Sequence, residues 1–84
     1  MTKEHKSLVE FEQGREGIIV SIQGGRTLCR RLSDMCIVPG AKIRKISGSF
    51  LGGPVTVQIG NARAALGFGM AAKIMVQADA ERGQ

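Results

Sequence analysis

The segment VTVQIGNARAAL, residues 55–66, constrains the fold more than any other part of the chain. Val55, Val57 and Ile59 alternate with Thr56 and Gln58, the period that sends successive side chains to opposite faces of a strand. Gly60-Asn61 follows at once as a tight hairpin signal, and residues 63–66 return as the partner strand. Such a reversal builds an antiparallel sheet. In a small protein, that sheet must curl to hide one face and to protect its edges.

Other short runs fit the same scheme. Ile18, Val20 and Ile22 alternate with Ile19, Ser21 and Gln23 before Gly24-Gly25 ends the run. Ala41 and Ile43 resume the alternation, Ile46 falls out of phase with them, and the mismatch predicts a bulge or bend near Lys45. Residues 48–54 read as a loop and residues 68–72 as a short turn, after which Ile74 and Val76 give the last strand. Leu8 and Phe11 are spaced like one helical turn. The expectation is a mainly β domain over residues 8–77, a small, partly open five-stranded barrel. Ile18, Val20, Ile22, Val55, Val57 and Ile59 share its interior. Residues 1–7 and 78–84 are polar and aperiodic and are expected to be flexible termini.

One stretch breaks the β pattern. In LCRRLSDMCIVPGAKI, residues 28–43, the first half has helical spacing. Leu28, Cys29, Leu32, Met35 and Cys36 fall within an arc of about 120°, opposite Arg30, Arg31, Ser33 and Asp34. Thr27 is the expected N-cap. Pro39 disfavours helical geometry at Val38, so the helix should end by about Ile37. A barrel this small cannot fill both ends from its strands, and the Leu28, Leu32, Met35 stripe is suited to cap one of them.

Composition narrows the function. The chain has 84 residues, 12 of them Gly, and a net charge of +5. A domain of this length buries only roughly 60% of its unfolded surface, so a partner interface could add much to its stability. No apolar run approaches the ~18 residues of a spanning helix, and the lysines near Met1 precede no signal-type segment, which points to a cytoplasmic protein without direct membrane insertion. Cys29 and Cys36 on one helix would lie about 10 Å apart, beyond the reach of a disulfide. Both thiols are expected to be reduced. The positive charge invites nucleic acid, but the absence of Trp and Tyr, the lack of Phe interleaved with cations and the lack of a recognition motif disfavour it. A solvated basic surface or an acidic partner fits better.

Chemistry on this chain is sparse. His5 is the sole histidine, and a nucleophile without a base in reach does not support covalent catalysis. The glycines of QGGR, LGG and GFG match neither a P-loop nor a dinucleotide fingerprint. No metal-ligand spacing exists, so no cofactor is expected; any weak transition-metal contact would fall to Asp34 or the 10–16 stretch. Interaction surface remains. Arg26, Arg30 and Arg31 on the helix, with Lys42, Arg44 and Lys45 beyond the turn, form a basic region beside an apolar loop carrying Phe50 and Leu51. These eight residues are the expected partner-binding set.

Taken in order, Gly14, Gly17, Ile18 and Ile22, then Arg30-Arg31-Leu32, Pro39-Gly40, Ile43, Leu51-Gly52-Gly53-Pro54, Val57, Arg63, Leu66, Ala71 and Ile74 resemble the ferrous iron transport protein A (FeoA) family across residues 8–77. The resemblance implies an SH3-like barrel with the helix inserted between its first and second strands. It also implies a non-enzymatic cytosolic accessory of a ferrous iron uptake system, binding a membrane transporter that carries a GTP-binding domain, with transition metal ion binding implied by family association. Related domains end some metal-dependent repressors, and a small nucleic-acid-binding barrel or such a regulatory domain is the alternative. Sheet edges left open would allow a homodimer. Where the family has glycine, this chain has Cys36. A cysteine at positive φ would be strained by about 1 kcal/mol or more, so the helix is expected to continue through that residue.

Overall fold

The computed structural model describes residues 5–48 and 52–78. Six strands and two helices follow one another as β1 (His5–Ser7), β2 (Glu16–Ile22), α1 (Arg26–Ser33), β3 (Lys42–Ser47), β4 (Val55–Ile59), β5 (Ala62–Leu66), α2 (Phe68–Ala71) and β6 (Ile74–Ala78). They form one antiparallel sheet in the order β1-β6-β2-β3-β4-β5. The strand count exceeds the expected five because residues 5–7 are not a loose end: they pair with residues 75–77 of β6. The helix α1 therefore lies between the second and third strands. Phe50 and Leu51 fall outside the described residues, as do 1–4 and 79–84 of the expected flexible ends.

The β4–β5 hairpin is as the sequence predicts, with Ile59 opposite Ala62 across Gly60-Asn61. Gly60 supplies a φ of 61° at the first loop position, a conformation that a side chain disfavours and that matches the twist of the flanking strands. Val55 and Val57 are fully buried and Ile59 packs against the core.

On β2 the expected phase is reversed. Ile19 and Gly17 are buried, whereas Ile18 and Val20 are only half-buried. The cause lies at Gly17, where β6 and the Phe11 ring come so close that a Cβ would sit 2.6 Å from Val76 Cγ1, 2.7 Å from the Gln77 carbonyl and 2.8 Å from Phe11 Cζ. Only glycine fits, so this face of β2 is the inner one. Beyond Ile19 the register against β6 slips by one residue at Val20, which returns Ile22 to the core side. The bulge expected near Lys45 is present as a register shift between Lys45 and Ser47, leaving Ile46 as the extra residue.

Leu8 and Phe11 form a single turn, in which the Glu10 and Phe11 N–H groups both donate to the Ser7 carbonyl (3.0 and 2.9 Å). Both apolar side chains enter the core with Ile19, Leu32, Ile37, Ile43, Leu66, Ile74 and Val76.

The helix α1 begins one residue before Thr27. Gly25 holds the N-cap position, and no side chain caps the first turn. At its other end the expectation of a continuing helix is overturned. Cys36 has a φ of 66°, the one positive φ outside glycine among the described residues. The Cys36 N–H donates to the Ser33 carbonyl and the Ile37 N–H to the Leu32 carbonyl, each at 2.9 Å. These paired bonds satisfy the last carbonyls in a Schellman ending, with Leu32 and Ile37, both fully buried, in the apolar positions that accompany it. Reversing the chain at residue 36 lets Ile37 enter the core; a longer helix would point it elsewhere. Next, the Ala41 N–H closes the Pro39-Gly40 turn on the Val38 carbonyl (3.1 Å), and Ile19 bonds on both sides to Gly40 and Ala41.

The apolar stripe of α1 is thereby shortened. Leu32 is buried and Leu28 packs on the core, but Met35 is 37% exposed and Cys36 is at the surface. Cys29 is half-buried and both cysteines are free. Among the described residues no helix is long and apolar enough to cross a membrane.

Candidate docking surface

The structure divides the predicted basic set. Arg26, Arg30 and Arg31 are exposed along α1, and Lys42 and Arg44 are exposed on the outer face of β3. Arg44 is engaged locally: its guanidinium donates to the Gly14 carbonyl at 3.0 Å and lies 4.0 Å from Glu16. Arg30 and Asp34, at the spacing of a helical ion pair, do not pair. Phe50 and Leu51 are among the residues not described.

Lys45 is the correction. It lies in phase with Ile43 on the inner face of β3 and is only 6% exposed. Its ammonium donates to the carbonyls of Val9 and Phe11, both at 2.8 Å, fastening the turn after β1 to the middle of the sheet. The backbone of the same residue bonds to Gly14 and Arg15. Burial lowers the Lys45 pKa from the ordinary 10.5, because desolvation penalises the charged form. A side chain so enclosed is a structural tie and not part of a docking face. The four-carbon stem explains why the pattern was misleading: it crosses the apolar layer, and only its end needs polar partners.

The described residues hold no group of three or more His, Cys, Asp or Glu placed to bind a metal ion. No buried side-chain nitrogen or oxygen among them lacks a partner, so no polar group waits in the interior for a ligand. His5 lies exposed on β1, away from any nucleophile and base arrangement.

A surface that the sequence did not reveal lies where the end of α1 meets the end of β5. Arg31, Asp34 and Met35 on one side and Ala65, Leu66, Gly67 and Met70 on the other line an open groove of about 380 Å³. Two methionines face it, and Phe68 (41% exposed) and Val38 (37%) are further large apolar side chains left at the surface. Flexible thioethers adapt to irregular apolar partners, which makes such a groove a contact surface of broad tolerance. Met35, expected inside, lies beyond the last residue of α1 and stays at the surface. Met70 sat in a segment with no periodic signal.

Comparison with known proteins agrees with this architecture. Among solved structures, an iron uptake regulatory protein (FeoA) shares 34% identity over 88% of this chain and 97% of its own, with a TM-score of 0.82. A zinc-complexed FeoA of Stenotrophomonas maltophilia, described as a procaryotic SH3 domain protein, shares 28% identity over 83% of this chain and 87% of its own, at a TM-score of 0.71. A manganese-dependent transcriptional repressor contains the same fold at 22% identity and a TM-score of 0.82, this chain spanning 44% of that one. No curated protein matches. The sheet described above thus has the SH3-like fold, with α1 inserted between β2 and β3. The family model of the FeoA domain matches residues 6–78, and the chain belongs to the FeoA domain family.

Proposed function

We propose that this protein is a non-enzymatic docking module of a ferrous iron uptake system. It works at the cytosolic face, where it binds the cytosolic part of the membrane transporter that carries a GTP-binding domain and adjusts uptake. The observation that carries the reading is the FeoA domain match over residues 6–78, which takes in all but the first residue of the described strands and helices. Two features support it. They are the exposed arginines of α1 and, beside them, the groove into which Met35 and Met70 face. On this reading iron is the cargo of the transporter, and this chain contributes a surface.

Titration calorimetry against the transporter's isolated GTP-binding domain, without nucleotide, with GDP and with a GTP analogue, tests the proposal. Binding in at least one state is expected, weakened about tenfold by Arg30→Glu with Arg31→Glu through lost charge complementarity. Absence of binding in all three states refutes it. Equilibrium dialysis with Fe(II) tests the cargo reading, and stoichiometric uptake by this chain would overturn it.

A further inference from the structure

The strand β5 is the last in the sheet order and, among the described residues, has a neighbour on one side only. With Ile59 opposite Ala62 across a tight loop, that pair exchanges both hydrogen bonds, as do Val57 with Ala64 and Val55 with Leu66. By alternation, the N–H and C=O groups of Arg63 and Ala65 point away from β4, toward the open edge. Natural edges are blunted by proline, charged side chains, bulges or brevity. The other edge, β1, is only 3 residues long, whereas β5 has 5, without proline or a bulge; its one charge, Arg63, donates through Nε to Gln58 Oε1 of β4 at 3.4 Å, and three of its residues are alanine. The Met35–Met70 groove opens beside this strand, with Ala65, Leu66 and Gly67 in its wall.

We propose that β5 is a landing edge. An extended, acidic and apolar segment of the partner adds alongside it as a further strand, bonding to the backbone of Arg63 and Ala65, and one apolar side chain of that segment enters the groove. The outward backbone groups select an extended conformation, and Met35 and Met70 in the groove select the apolar side chain. Charge selects the acidic character: α1 and β5 together carry Arg26, Arg30, Arg31 and Arg63 and no acid, with Asp34 alone following α1. A second copy of this chain fits less well. Laid antiparallel along β5, it would bring two Arg63 side chains to one face, on molecules that each carry +5. The inference rests on the reading of the chain as a docking module.

The probe is a short synthetic peptide alternating glutamate with leucine, followed by fluorescence anisotropy and by amide exchange in NMR spectra. Binding is expected to slow exchange at the Arg63 and Ala65 amides and to fall about tenfold or more when alternate peptide nitrogens are methylated or lysine replaces glutamate. Ala65→Pro removes an outward N–H without touching the ladder to β4, so it should weaken binding similarly while the melting temperature stays within a few degrees. No binding at millimolar peptide, equal binding of the methylated peptide or by Ala65→Pro, or protection elsewhere overturns the proposal. The transporter domain separates the two readings. If it binds Ala65→Pro as tightly as the parent, the edge assignment fails and the docking function stands. If the peptide behaves as expected and the domain never binds, the edge stands and the transporter assignment fails.

Discussion

Replacing Cys36 by glycine should stabilise this protein. The residue holds a φ of 66°, where a Cβ crowds the following carbonyl at a cost of roughly 1–2 kcal/mol. Its side chain is exposed, so removing it sacrifices no buried contact. The paired bonds to Ser33 and Leu32 are made by backbone and survive the change. Against the relief stands the greater freedom of glycine in the unfolded chain, roughly 0.5–1 kcal/mol. The net gain lies between about 0 and 1.5 kcal/mol, and its midpoint, ~0.75 kcal/mol, corresponds to a rise in Tm of about 3–6 °C for a domain of this size. Thermal and urea unfolding followed by circular dichroism, in reductant, measure it. Cys36→Ala is the control: it keeps the Cβ and its strain and should shift the midpoint little. If the helix instead ran on through residue 36, the signs would exchange, with glycine losing about 1 kcal/mol relative to alanine. A glycine variant less stable than the alanine variant refutes the reasoning.

Lys45→Met leaves the Val9 and Phe11 carbonyls without their donor in a buried setting and should cost about 2–4 kcal/mol at neutral pH; a urea midpoint within the error of the parent would contradict the tie. The same lysine sets an alkaline signature. Its folded pKa lies below the unfolded 10.5, so between the two the unfolded chain binds more protons, and stability attributable to Lys45 rises with pH across that window. The difference in unfolding free energy between parent and Lys45→Met, measured across alkaline pH, should grow in that direction and level off above 10.5. Gly17→Ala forces a methyl against the Gln77 carbonyl and the Phe11 ring and should destabilise by about 1–3 kcal/mol or more, read from the thermal midpoint. Unchanged stability would place β2 and β6 farther apart than described.

What the sequence made legible follows from how far each signal depends on neighbours alone. The β4–β5 hairpin was readable because alternation and a two-residue turn are local and agree with each other. The bulge beside Lys45 was readable because Ile43 and Ile46 disagree in phase. The phase of β2 was not, since Ile18, Ile19 and Val20 are all apolar and the deciding fact is the approach of β6 and Phe11 to Gly17, sixty residues from its partner in the chain. Cys36 was misjudged for a related reason: local strain argues against a left-handed cysteine, and only the gain from seating Ile37 beside Leu32 outweighs it. The docking surface suffered most. Lys45 resembles its exposed neighbours in composition but not in phase, and the groove joins Met35, just past α1, to Met70 of α2, far along the chain.

Pairing of His5 with Gln77 sets the polypeptide's entry and exit on adjacent strands. A domain built this way can be spliced into a surface loop or appended to another protein with little disturbance to its host, and the recurrence of the same fold as part of a longer repressor chain is in keeping with that geometry. The same adjacency delays assembly on the ribosome. The hydrogen bonds joining first strand to last cannot form until nearly all of the domain has been synthesised.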